Sequence, residues 1–244
     1  MTRHVIINAD DFGASAGINR GILEAHARGV VTSTSMMVTG RAVREAVAMS
    51  KDHPRLGIGL HWDVWGEDER AFDLSDHGAV RDQFARQLDA FHQLVGRAPT
   101  HVDSHRHAHR EPVVFDLFRQ LVEPLGVPLR HDGRVKYVGG FYAQWQWLVT
   151  ELKYVSVEFL QQILRDETSA AGWTEIGCHP GYVSDDFKSI YLTEREHELR
   201  TLSDPRVRRT IDELGITLCN FDDHARLTRG TKSAADGAGT RPWA

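Results

Sequence analysis

Seven strand-like runs, at 4–8, 32–38, 56–61, 100–104, 127–130, 173–178 and 216–221, recur along the chain with helix-like stretches between most of them. Strands that alternate with helices run parallel, because a parallel pair needs a crossover connection. The pattern therefore predicts an α/β fold around a parallel sheet, either open or closed into a barrel. The helix-like stretches keep a 3.6-residue apolar period. Ile18, Ile22 and Leu23 share one face between a capping Ser15 and a terminating Gly29. Phe84, Leu88, Phe91 and Val95 repeat the period, as do Phe159, Leu160, Ile163 and Leu164, then Val207, Ile211 and Leu214.

Polar residues separate the open sheet from the barrel. Asp10 and Asp11, His61, His105 and His179 follow four different strand-like runs that span most of the chain. A barrel brings such strand ends to one mouth more readily than an open sheet does. The expected architecture is a deformed, TIM-like (β/α) barrel of about seven parallel strands, one domain over residues 1–227, with a flexible Gly-, Ala-, Ser- and Thr-rich tail over 228–244. Segment 131–150 has no clear period and reads as a long excursion. Its aromatics Tyr137, Phe141, Tyr142, Trp145 and Trp147 suit either sugar rings beside a barrel mouth or a contact between the subunits of a homodimer.

Composition narrows the function. A net charge of -5 without a Lys/Arg-rich run gives no footprint for nucleic acid. No apolar run approaches the roughly 18 residues of a membrane span, and no targeting segment precedes Asp10, so the expected location is cytoplasmic. Cys178 and Cys219 each stand in an apolar run with no second cysteine nearby and read as buried free thiols. A metal site in this chain would use oxygen and nitrogen.

Two imidazoles and one carboxylate can hold a divalent ion while leaving positions open for chemistry, and Asp11, His61 and His105 supply that set. Asp10 would point away from its neighbour and serve as general base toward a metal-activated water; without the other segments, the pair would read as a helix cap. His101, Asp103, His105, His107 and His109 would share one face of an extended chain. Asp103 then reads as the partner that orients a ligating imidazole, and His101, His107 and His109 as structural or substrate-facing. His179, before Pro180 and Gly181, would turn at the mouth and donate a proton to a leaving amine.

The stretches Ile7-Asn-Ala-Asp-Asp-Phe-Gly13, Val31-Thr-Ser-Thr34, Gly57-Ile-Gly-Leu-His61, Pro99-Thr-His-Val-Asp-Ser-His105 and Cys178-His-Pro-Gly-Tyr182 together resemble the YdjC-like carbohydrate deacetylases, which include chitooligosaccharide deacetylases and hopanoid-associated HpnK-like proteins. The resemblance implies a deformed barrel that removes acetyl from a small N-acetylated sugar or glycoconjugate, with Asp10 as base, His179 as acid and Asp11, His61 and His105 on the metal. It also implies that Arg130 contacts substrate or orients the base. Magnesium is the ion the resemblance implies, whereas the donor set equally suits zinc, manganese or cobalt. The rival expectations are a metal-dependent phosphoesterase on a similar barrel and a sugar-binding protein without turnover.

Overall fold

The computed structural model describes residues 2–66, 71–168, 172–183, 185 and 187–236, with side chains through 229. Strand β1 (Arg3–Phe12) leads into α1 (Ala16–Arg28), and β2 (Ser33–Met36), α2 (Val43–Ser50), β3 (Gly57–Trp62), α3 (His77–Val95), β4 (Val102–Ser104) and α4 (Phe115–Val122) continue the alternation. The second half comprises β5 (Lys136–Val138), α5 (Val157–Asp166), β6 (Gly172–Cys178), α6 (Thr193–Leu202), α7 (Pro205–Glu213), β7 (Ile216–Leu218) and α8 (Phe221–Asp236). The Ser15 hydroxyl accepts from Ile18 N at the start of α1, and Gly29 follows its end, as the sequence pattern predicts.

All the strand pairings are parallel, in the order β4-β3-β2-β1-β6-β5. β6 runs along one edge of β1 from Arg3 to Ala9. β7 pairs with Arg3 to Val5, and β2 pairs from Asn8 onward. The sheet curls into a partial barrel, and the arc ends at β4 and β5.

One expected strand is displaced. Residues 127–130 make only a single bridge, Val102 to Leu129, and the true strand is β5, inside the segment read as an excursion. Pro128 has no N–H for a ladder, and Leu129 N donates instead to Asp132 Oδ2 at 2.8 Å, which turns the chain away. The tail expected from Thr228 also begins as helix, because α8 continues through Asp236 with the good helix formers Lys232, Ala234 and Ala235. The remainder of that tail lies outside the described residues.

The outer layer is apolar. Val5, Ile7 and Ala9 of β1 pack in one cluster with Ile18 and Ile22 of α1. The inner face of the strands is polar instead, carrying buried Asn8, Asp10, His61, Asp103 and Glu175. Glycines make room for large inward groups: a Cβ at Gly59 would lie 2.4 Å from the His101 ring, and one at Gly177 would lie 2.5 Å from the Tyr137 hydroxyl. Among the described residues no helix is long and apolar enough to cross a membrane.

Candidate active site and metal centre

The site begins with an irregularity in β1. Ala9 pairs with Thr34 but Phe12 with Met36, so β1 carries one extra residue, and Asp11 sits at φ 72°. In a regular strand, adjacent side chains face opposite sides of the sheet; a bulge with a left-handed residue re-aims one of them. Asp tolerates that conformation better than most residues. Both carboxylates are consequently buried in the interior, Asp10 3% and Asp11 2% exposed.

Asp11 Oδ1 lies 3.3 Å from His61 Nε2 and 3.3 Å from His105 Nδ1, and the three donor atoms all fall within 4.8 Å of one another. His61 and Asp103 are register partners on β3 and β4, which sets His61 Nδ1 2.6 Å from Asp103 Oδ1. That bond fixes the ring and leaves Nε2 for a cation. Burial pushes His61 down, but the Asp103 carboxylate overrides it and raises the imidazole well above its ordinary value. Burial likewise works against ionised Asp11, yet Arg195 and the two histidines hold it well below the usual carboxylate range. The Arg195 contact is Nη2 to Oδ2 at 2.6 Å.

Asp10 is gripped by a buried fork. Arg130 Nη1 and Nη2 donate to its two oxygens at 2.7 and 2.8 Å, and Asn8 Nδ2 adds a third bond at 2.9 Å. Arg130 also reaches Glu175 at 2.6 Å and Asp103 at 2.7 Å, and its guanidinium carbon sits 4.6 Å over the Tyr137 ring. The Arg130 side chain is fully buried among these groups and does not line the cavity. Burial pushes Glu175 up to about 7 against the pull of Arg130.

His179 faces Asp10 from the end of β6, with Nε2 3.9 Å from Asp10 Oδ2. Glu198 of α6 lies behind it, Oε1 3.9 Å from His179 Nδ1, and its carboxylate also accepts from His179 N and from the Tyr191 hydroxyl. Burial pushes Glu198 up to about 8. Burial lowers His179 to about 4, against the opposing pull of Asp10 and Asp11.

The remaining histidines part company beyond the end of β4. β4 stops at Ser104, and Arg106 and His107 turn left-handed at φ 52° and 53°. His101 is buried against Phe221, ring centroids 3.8 Å apart. His109 is bonded between Ser104 Oγ and the Arg130 carbonyl. Both are structural. His107 lines the cavity beside His131 and Tyr137. Sequence reasoning missed Glu175, Arg195 and Glu198. The available signal was the run Thr193-Glu-Arg-Glu-His-Glu-Leu, too polar for an ordinary covering helix, of which Glu194, Arg195 and Glu198 are buried.

Asp10, Asp11, His61, His105, His179 and Arg195 line the floor of a cavity of about 720 Å³, bordered at its rim by Tyr142, Trp145 and Trp147. The curled parallel sheet is a fold shared with solved carbohydrate esterases. A family 4 carbohydrate esterase from Streptomyces lividans, in complex with acetate, superposes with TM-score 0.55 at 13% identity, covering 89% of this chain and 91% of its own. A crystal structure of an Enterococcus faecalis V583 protein matches with TM-score 0.78 at 25% identity, covering 91% of this chain and 99% of that one. A chitooligosaccharide deacetylase of Serratia marcescens is 32% identical, over 91% of this chain and the whole of the relative. The YdjC-like protein family profile matches residues 4–213, and the chain belongs to that family.

Proposed function

We propose that the chain hydrolyses the acetamide of an N-acetylated amino sugar, releasing acetate and the free amine, with a divalent ion held by Asp11, His61 and His105. The observation that carries this reading is the convergence of that donor group with the Arg130-held Asp10 and the opposed His179 in one cavity. The donors fit such an ion. One carboxylate oxygen and two ring nitrogens make a mixed set with a neighbouring carboxylate to orient it. When bound, the ion would polarise the acetyl carbonyl and acidify water.

The chain's own residues do the rest. Asp10, fixed in orientation by Arg130 and Asn8, takes a proton from the attacking water. His179 hands the proton on Nε2 to the departing amine. Glu198 retains its own proton near neutrality and lies 3.9 Å from Nδ1, so a shift of the ring toward it is needed before it can replace the proton His179 gives up. Magnesium, by family likeness, is the resident ion of this reading, and zinc, manganese and cobalt suit the same donors.

The name of the Serratia relative supports a chitooligosaccharide-like substrate. The test is acetate release from N-acetylglucosamine and diacetylchitobiose by metal-stripped protein reconstituted with each of the four ions. Metal-dependent acetate release is expected. Its absence with every ion and sugar would overturn the reading.

A further inference from the structure

The rim of the same cavity carries a turn whose backbone is fastened while its side chains are bare. Trp145, Trp147 and Leu148 are 57%, 73% and 63% exposed. Val149 N donates to Gln146 O at 3.0 Å to close the turn, and Glu151 N donates to Ala143 O at 2.8 Å across its stem. Gln144 Nε2 donates to Ile190 O at 2.8 Å and to Glu194 Oε1 at 2.7 Å, and the Thr150 hydroxyl donates to the same carboxylate oxygen. Glu194 is buried, and its other oxygen accepts from Leu192 N at 3.0 Å. The position of the indoles is thus set by a buried carboxylate beneath the turn and not by burial of their own rings.

We propose that this turn is the binding platform for a second pyranose ring, next to the ring that bears the reacting acetamide, with Trp147 as the contact surface and Glu194 as the residue that positions it. The proposal rests on the deacetylase reading and extends it from one sugar to at least two. Trp145 and Trp147 border the cavity that holds Asp10, Asp11 and His179, so a substrate whose acetamide reaches the floor extends toward them. The cavity volume falls in the range of about 300–1,000 Å³ that accommodates ligands larger than one ring. An indole is rigid and amphipathic, which matches a pyranose with its apolar C–H face and polar rim. A platform held in place before binding costs less ordering when the ligand arrives. Glu194, Arg195 and Glu198 all belong to α6, so the helix that anchors the platform also anchors the metal-binding carboxylate and the acid.

The test compares wild type, Trp147→Ala and Glu194→Gln on N-acetylglucosamine and diacetylchitobiose, by acetate release and by tryptophan-fluorescence titration. Trp147→Ala should lower the disaccharide-to-monosaccharide ratio of kcat/KM about tenfold, chiefly through KM, as expected for loss of one aromatic contact. Glu194→Gln should move the ratio in the same direction by less. An unchanged ratio in Trp147→Ala would overturn the proposal, as would an unchanged ratio accompanied by conversion of a dimer to monomer on size exclusion. If wild type releases no acetate from either sugar, the deacetylase reading fails, and the titration decides the platform alone. Disaccharide binding about tenfold weaker in Trp147→Ala would support it, and equal binding would overturn it.

Discussion

The floor and the rim of the cavity are built by opposite means. The floor draws its side chains from the ends of β1, β3, β4 and β6, nearly all withdrawn from solvent, with Asp10 bonded to Arg130, Asp11 to Arg195 and His61 to Asp103. The rim is a turn with exposed indoles, closed by its own backbone and tied down at its stem. Groups that move protons or hold an ion need fixed distances, which a hydrogen-bonded sheet supplies. Groups that meet a variable ligand need area, which a loop supplies. The difference predicts that damage to the floor costs stability and turnover together, while damage to the rim costs substrate affinity alone.

The largest effect should come from Arg130. Arg130→Met would leave Asp10, Asp103 and Glu175 facing one another without their shared cation, and breaking a buried pair of this kind costs about 3–5 kcal/mol. Chemical denaturation should show that loss with turnover falling in parallel; full stability would separate the floor's chemistry from its folding.

The next effect depends on pH. His109 is buried and lowered to about 3 by burial, so it is neutral in the fold. Its stabilising contribution is complete above the ordinary imidazole value near 6.5 and is lost as pH falls toward 3, because only the unfolded chain takes up a proton in that window. Glu175 and Glu198, raised by burial, act with the opposite sign over part of the same range. A His109→Gln comparison isolates the one group. The variant should be less stable than wild type at pH 7.5, and the gap should close by roughly 1.4 kcal/mol per pH unit below about 6. A gap independent of pH would mean that His109 is already charged in the fold.

The smallest effect belongs to Glu198. Glu198→Gln keeps a group of the same size behind His179 but removes the titrating proton. It should lower kcat about tenfold and alter the alkaline limb of the pH–rate profile with little change in KM. A profile superposable on wild type would reduce Glu198 to a packing role.

The floor was legible in the sequence to the extent that it lies on strands. Asp10, Asp11, His61, Asp103, His105 and His179 stand out because a polar residue after an apolar run marks a strand end, and the structure brings all but Asp103 into one cavity, with Asp103 bonded behind His61. Two local features were hidden. The bulge that turns Asp11 inward has no glycine to announce it, and neither has the left-handed turn at Arg106 and His107 that follows the end of β4. The contribution of α6 was legible only as a run too polar for an ordinary covering helix. Which of its charges the fold buries, Glu194, Arg195 and Glu198, the run itself does not mark. β5 escaped notice because its three residues, Lys136, Tyr137 and Val138, stand in a segment with no clear apolar period.

The measurement that tests the central claim most directly is calorimetric titration of metal-stripped wild type, Asp11→Ala and Asp10→Asn with magnesium and zinc, paired with acetate release from diacetylchitobiose. The account predicts that Asp11→Ala loses both binding and turnover, whereas Asp10→Asn binds the ion and loses about 10²- to 10⁴-fold in turnover. Equal metal binding in Asp11→Ala and wild type, or undiminished turnover in Asp10→Asn, would contradict it.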